Sequence, residues 1–270
     1  MKGSEFLAAN AGKSLAVWEA AAVADPDSFV VWPLLPVEVA FGDHRGTFFV
    51  SQDVLAVGTP EDYVRLPLTP IAAQRIADKK GMLLPTSKMV DAIWRSGIHL
   101  TPQPMVPNKG ANLAQYAEHS RLIDQQLGTM SVPSSGPAPV SGHKKDVIVS
   151  NIWKPGKVVI YGWHRPDGSH IQPKSNVHGD FYVDYSHGIR LVAPSMDVDG
   201  QTRNVVDVLR DHELSGLLSD EGPLRMLHYP TGLGSDVVAA ATSPAGRLSY
   251  SELGLRILVI LDQLQRGIPG

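Results

Sequence analysis

The chain has 270 residues, a hydrophobic fraction of 43%, a charged fraction of 19% and a formal charge of −3. Such values fit a globular chain with enough material for a buried core, and they carry no basic footprint for nucleic acid. The absence of cysteine excludes a disulfide scaffold, a thiolate metal centre and a cysteine nucleophile.

The N-terminal Gly3-Ser4-Glu5-Phe6 is what two common adjacent restriction sites encode, so residues 1–10 are expected to be a disordered tag. A native N-terminus trimmed of an export signal would place the protein outside the cytoplasm, as a secreted protein. Residues 11–24 are alanine-rich and predict a first helix. From Phe29 to Leu68, β-branched and aromatic runs broken by Gly-Asp and Gly-Thr-Pro predict short strands. Thr69-Pro70 supplies an N-cap with proline at the first helical position, and Gly81 ends that helix after Lys79-Lys80. A second helix starts near Thr86, with Met89, Val90, Ile93 and Trp94 on one face before Gly97, and a third spans about 111–127.

Residues 131–142 are rich in Pro, Ser and Gly and predict an irregular connection. Beyond it, strands are expected near 145–150, 157–164, 180–185 and 188–193, then a short helix near 202–210 after the Asp199-Gly200 turn. Ser249-x-x-Glu252 matches a capping box opening a largely buried C-terminal helix. The apolar run Leu253–Leu261 is interrupted by Arg256 and falls short of the ~18 residues of a membrane span. The expected fold class is α+β, with a mixed or antiparallel sheet and helices in blocks. Residues 11–270 read as one domain, with the 129–142 connection as a possible subdivision.

Chemistry concentrates between residues 143 and 190. Four of the ten histidines lie from His164 to His187, with His143 just upstream and Trp153, Tyr161, Trp163, Tyr182 and Tyr185 among them. Arg165-Pro166-Asp167-Gly168-Ser169 fits a three-residue hairpin loop that would set His164 opposite His170, close enough for two imidazoles to share a metal. His178 and Asp184 would lie ~20 Å apart on a straight strand, so a common site requires a turn at Gly179-Asp180.

His178 followed by Asp184, with a later histidine, resembles the zinc peptidases that cleave D-amino-acid peptides. The spacing here is one residue shorter, and their Glu-x-x-His is echoed only by Glu221 and His228. Ser186-His187-Gly188-Ile189-Arg190 resembles the Ser-His-Gly-Cys-x-Arg motif of L,D-transpeptidases, which also carry an upstream His-Gly like His178-Gly179. The motif's cysteine is missing, and one residue separates Gly188 from Arg190.

These residues lead to an expected hydrolase of an amide bond in a polar polymer or peptide, cell-wall peptide included, using activated water. Its expected catalytic group is His178, Asp184, His187 and Tyr185, with Arg190, Tyr161 and Tyr182 binding substrate. A divalent ion such as zinc could be held by His164, His178 and Asp184. Two alternatives stand beside this reading: a glycoside-active enzyme using a carboxylate pair such as Asp184 with Glu221, and a non-catalytic saccharide- or peptide-binding module. Further rivals include an interaction protein whose histidines respond to mild acid. His143 reads as an exposed residue leading a strand.

Overall fold

The structure, a computed structural model, describes residues 1–130 and 137–231. The C-terminal helix expected after Ser249 lies outside them. Contacts gather Met1–Tyr229 into one compact unit. It is an α+β fold whose described residues include two four-stranded sheets.

The first sheet is antiparallel, in the order β1 (Leu34–Phe41), β2 (His44–Ser51), β11 (Val192–Val198), β12 (Gln201–Asn204). Asp199 and Gly200 take φ values of 51° and 79°, the two left-handed positions of a tight hairpin turn between β11 and β12. The helix expected over 202–210 is therefore shorter. Residues Gln201–Asn204 complete the hairpin, and α6 spans only Val205–Arg210, capped by the Asn204 side chain.

The second sheet is mixed. Its order is β10 (His187–Gly188), β7 (Lys145–Val147), β8 (Ile160–His164), β9 (His170–Ser175), with β10 and β7 parallel. All residues of β7 and β8 are buried, the charged Lys145 and Asp146 of β7 included. Two smaller pairs complete the strands: β3 (Ala56–Thr59) with β4 (Asp62–Arg65), and β5 (Ile98–His99) with β6 (Val140–Ser141).

The helices begin where their caps indicate. In α3 (Pro70–Lys79) the Thr69 hydroxyl accepts from Ala72 N–H, and in α5 (Leu113–Gly128) the Asn112 side chain accepts from Gln115 N–H. In α4 (Ser87–Ser96) Thr86 accepts from Met89 N–H at 3.1 Å and donates to the Leu218 carbonyl. Thr86→Ala is expected to lower stability by about 1–2 kcal/mol, read by chemical denaturation, because it removes a cap and leaves a buried carbonyl unmet.

Before α2 (Leu15–Ala24) the structure corrects the sequence reading. Gly3–Asn10 is not disordered but forms α1, with Phe6 fully buried. Ser4 N–H donates to Asp62 at 2.9 Å, and a Cβ on Gly3 would stand 2.8 Å from the Tyr63 backbone, so α1 seats directly on the β3–β4 hairpin. One core joins both sheets and the helices, with Phe48, Val50, Val147, Ile160, Ile189 and Met196 meeting Ile76, Met89 and Tyr116.

No strand runs over 180–185. Instead Tyr182 N–H donates to the Gly179 carbonyl at 3.0 Å, closing a turn at the place that a His178–Asp184 site requires.

Candidate functional site

Asp184 is the hub of a buried polar cluster. One carboxylate oxygen accepts from Tyr182 OH at 2.6 Å, Asn108 Nδ2 at 3.0 Å and Lys145 Nζ at 3.2 Å. The other accepts from Ser186 N–H at 2.9 Å and Ser186 Oγ at 2.5 Å, an Asx turn that fixes the chain between Asp184 and His187. The parallel register sets His187 beside Lys145, so both side chains leave the same face of the sheet. Burial opposes ionisation of Asp184, but the Lys145 ammonium and the Ser186 hydroxyl outweigh it and hold the carboxyl well below the usual range. Burial pushes Lys145 down as well, against the pull of Asp184.

The His187 ring is wholly buried. Its Nδ1 lies 3.0 Å from the Asp184 backbone nitrogen and 3.3 Å from Asp184 Oδ1. A backbone N–H can only donate, and its contact is the shorter, so Nδ1 accepts and the neutral ring carries its proton on Nε2. Among the described residues that Nε2–H has no partner. Burial lowers the pKa of His187 and keeps the ring neutral.

His178 comes over the same cluster through the 179–182 turn. Its ring stacks on Tyr182 with centroids 3.9 Å apart and planes 10° apart, while Tyr182 meets His187 edge-on at 5.5 Å. Half-buried, His178 has a lowered pKa, first from burial and then from Lys145. Four expected site residues, His178, Tyr182, Asp184 and His187, thus converge.

His164 does not join them. Val158 N–H donates to the His178 carbonyl, so His178 sits at the opening of β8 while His164 ends it, on the order of 15–20 Å away. The hairpin reading is correct in its local detail: His164 pairs with His170 and Arg165 N–H donates to Ser169 O at 2.6 Å. Yet His164 Nε2 bonds Asp91 of α4 at 2.9 Å, as does Tyr161 OH. Residues three apart in a strand point opposite ways. Here Gly162 and Trp163 take φ values of 103° and 56°, and this kink in β8 brings both side chains to Asp91. The metal set His164, His178 and Asp184 is therefore not assembled, and among the described residues no three His, Asp or Glu are grouped to hold an ion.

Other expected roles meet committed side chains. The Tyr185 hydroxyl bonds the Met105 backbone on both sides, accepting at 2.7 Å and donating at 3.3 Å, so it is not free to meet an oxyanion. Arg190 is buried, and its two terminal nitrogens donate to the Ser51, Gln52 and Val140 carbonyls instead of a substrate carboxylate. Tyr161 is held by Asp91, away from the cluster. Glu221 is fixed by Ser150, Asn151 and Lys174, and His228 by Asp78, so neither echo of the zinc-peptidase pattern reaches Asp184. Ile189 is fully buried in the core.

Sequence reasoning missed Lys145 and Asn108, and it misplaced His143. That residue is 1% exposed, not solvated, and its Nε2 meets Asp53 at 2.9 Å. Its partner Asp53 lies 90 residues away in sequence, and no local pattern ties the two together.

Comparison with known proteins found no matching family model, no similar curated protein and no similar solved structure.

Proposed function

We propose that the chain is a hydrolase cleaving an amide bond in a polar peptide or polymer, cell-wall peptide being the candidate class, at the His178–Tyr182–Asp184–His187 cluster. One observation supports this reading above others: two neutral imidazoles of opposite character share the Tyr182 ring. His178 is half-buried and makes no ring hydrogen bond among the described residues, so it can accept a proton. His187 offers a buried Nε2–H without a partner among the described residues.

In this mechanism His178 takes a proton from water as the oxygen attacks the carbonyl carbon. The developing oxyanion receives the His187 Nε2–H, aided by the positive field of Lys145. The tetrahedral intermediate collapses when His178 returns the proton to the departing amine. Asp184 holds His187, Tyr182 and Lys145 in place and exchanges no proton.

A non-catalytic peptide- or saccharide-binding module is the second reading. It is favoured by Val177 and Phe181, which flank His178 and are 72% and 85% exposed.

The test incubates the full chain with peptides and cell-wall glycopeptides and looks by mass spectrometry for products that have gained one water. Cleavage is expected, and His178→Gln should lower it about 10²–10⁴-fold. Binding without cleavage by the unaltered chain would reject the hydrolase and leave the module.

A further inference from the structure

A second polar centre lies on another part of the fold. Between α4, β6, β7 and β8 is a cavity lined by Trp94, His143, Asp146 and Arg190, among others. It leaves ≈ 10 Å³ for the centre of a water-sized sphere, room for one molecule.

Four buried polar atoms of those four residues have no hydrogen-bond partner among the described residues: Trp94 Nε1, His143 Nδ1, Asp146 Oδ1 and Arg190 Nε. Their chemistry divides evenly. Asp53 is ionised, so His143 donates its Nε2–H to it and turns a lone pair outward at Nδ1. Asp146 Oδ1 is a second acceptor. The indole and guanidinium N–H groups are two donors. The remaining polar side chains on the wall are engaged elsewhere: Lys144 on the Tyr185 carbonyl, Ser141 on the Ile98 carbonyl and His164 on Asp91.

Two acceptors and two donors around one small space are the complement of a single water. An ammonium ion would leave both donors unmet, and a halide would face a carboxylate and a lone pair. We propose that this cavity is a specific binding site for one water molecule, held by Asp146 and His143 as acceptors and by Arg190 and Trp94 as donors. The water closes a hydrogen-bonded thread from Asp146 through His143, Asp53 and Arg65 to Asp124, whose side chain is 41% exposed. It also accounts for the burial of Asp146, whose carboxyl burial pushes up to about 6, with Arg190 and His164 pulling down and Asp53 pushing up.

The site is tested by a high-resolution crystal structure of the full chain at neutral pH, grown with bromide. One density peak is expected within hydrogen-bond distance of Asp146, His143 and at least one of the two donors, without anomalous signal. An empty cavity, or an anomalous bromide peak, would overturn the proposal. In solution, Val90→Leu extends a lining side chain into the space and should displace the water. Asp146 then loses a donor, and its carboxyl titration by NMR should move up about tenfold in proton affinity. An unchanged midpoint, with the variant folded, would also overturn it.

Discussion

Asp53→Asn is expected to destabilise the fold by about 3–5 kcal/mol, the range for breaking a buried ion pair from one side. Asp53 accepts from Arg65 Nε at 2.9 Å and Nη2 at 2.7 Å, from His143 Nε2 at 2.9 Å and from Val54 N–H at 2.7 Å. Arg65 is 0% exposed, so the variant strands a guanidinium in the core with only the half-exposed Asp124 as counter-charge. Burial opposes ionisation of Asp53, but Arg65 and His143 hold its carboxyl far below the usual range. The stabilisation is therefore present above the unfolded carboxylate value near 3.8 and is lost as pH falls below it. Urea unfolding at neutral pH should show the loss, and the gap between variant and parent should close in acid. Adding Arg65→Met should recover part of the stability, since an apolar pair needs no counter-charge. A neutral-pH difference below about 1 kcal/mol would mean that the pair contributes no more than an exposed one.

Asp184→Asn should act on both stability and the proposed activity. It leaves Lys145, whose side chain is 6% exposed, without its carboxylate, and it replaces an all-acceptor group with one that must place an NH₂ among donors. The expected loss is again about 3–5 kcal/mol at neutral pH. Because the carboxyl lies below its ordinary value in the folded chain, this contribution too persists above about 3.8 and fades only in acid. Turnover, once a substrate is in hand, should fall even where the variant is fully folded, because Tyr182 loses the anchor on which His178 stacks. Asp184→Asn with unchanged stability and unchanged Tyr182–His178 ring-current shifts by NMR would remove Asp184 from the centre of the cluster.

Much of the local structure was legible from the chain alone. Thr69-Pro70 and Thr86 announce their helices because a cap is a hydrogen bond spanning three residues. Arg165–Ser169 announces its hairpin, with Gly168 at a φ of 86°, because turn geometry depends on the turn's own residues. The need for a turn after His178 followed from length alone. Where two local signals competed, the reading failed: Asp199-Gly200 is as good a hairpin turn as a helix lead, and pairing of β12 with β11 decided between them.

What the sequence determined by itself is thus the helices that open on Thr69-Pro70 and Thr86, the turn at 165–169, and the clustering of His178, Tyr182, Asp184 and His187 within a short span of chain. Only the tertiary structure decided which groups serve that cluster. Lys145 reaches Asp184 because β10 pairs in parallel with β7, and Asn108 arrives from a segment far away in sequence. His164 leaves because a kink at Gly162-Trp163 turns it to Asp91, and Tyr185 and Arg190 are taken up by distant backbone groups. The physical reason is one of range. Caps and turns are satisfied within a few residues, whereas a buried charge or hydroxyl takes its partner from whichever segment the packing of the core brings against it.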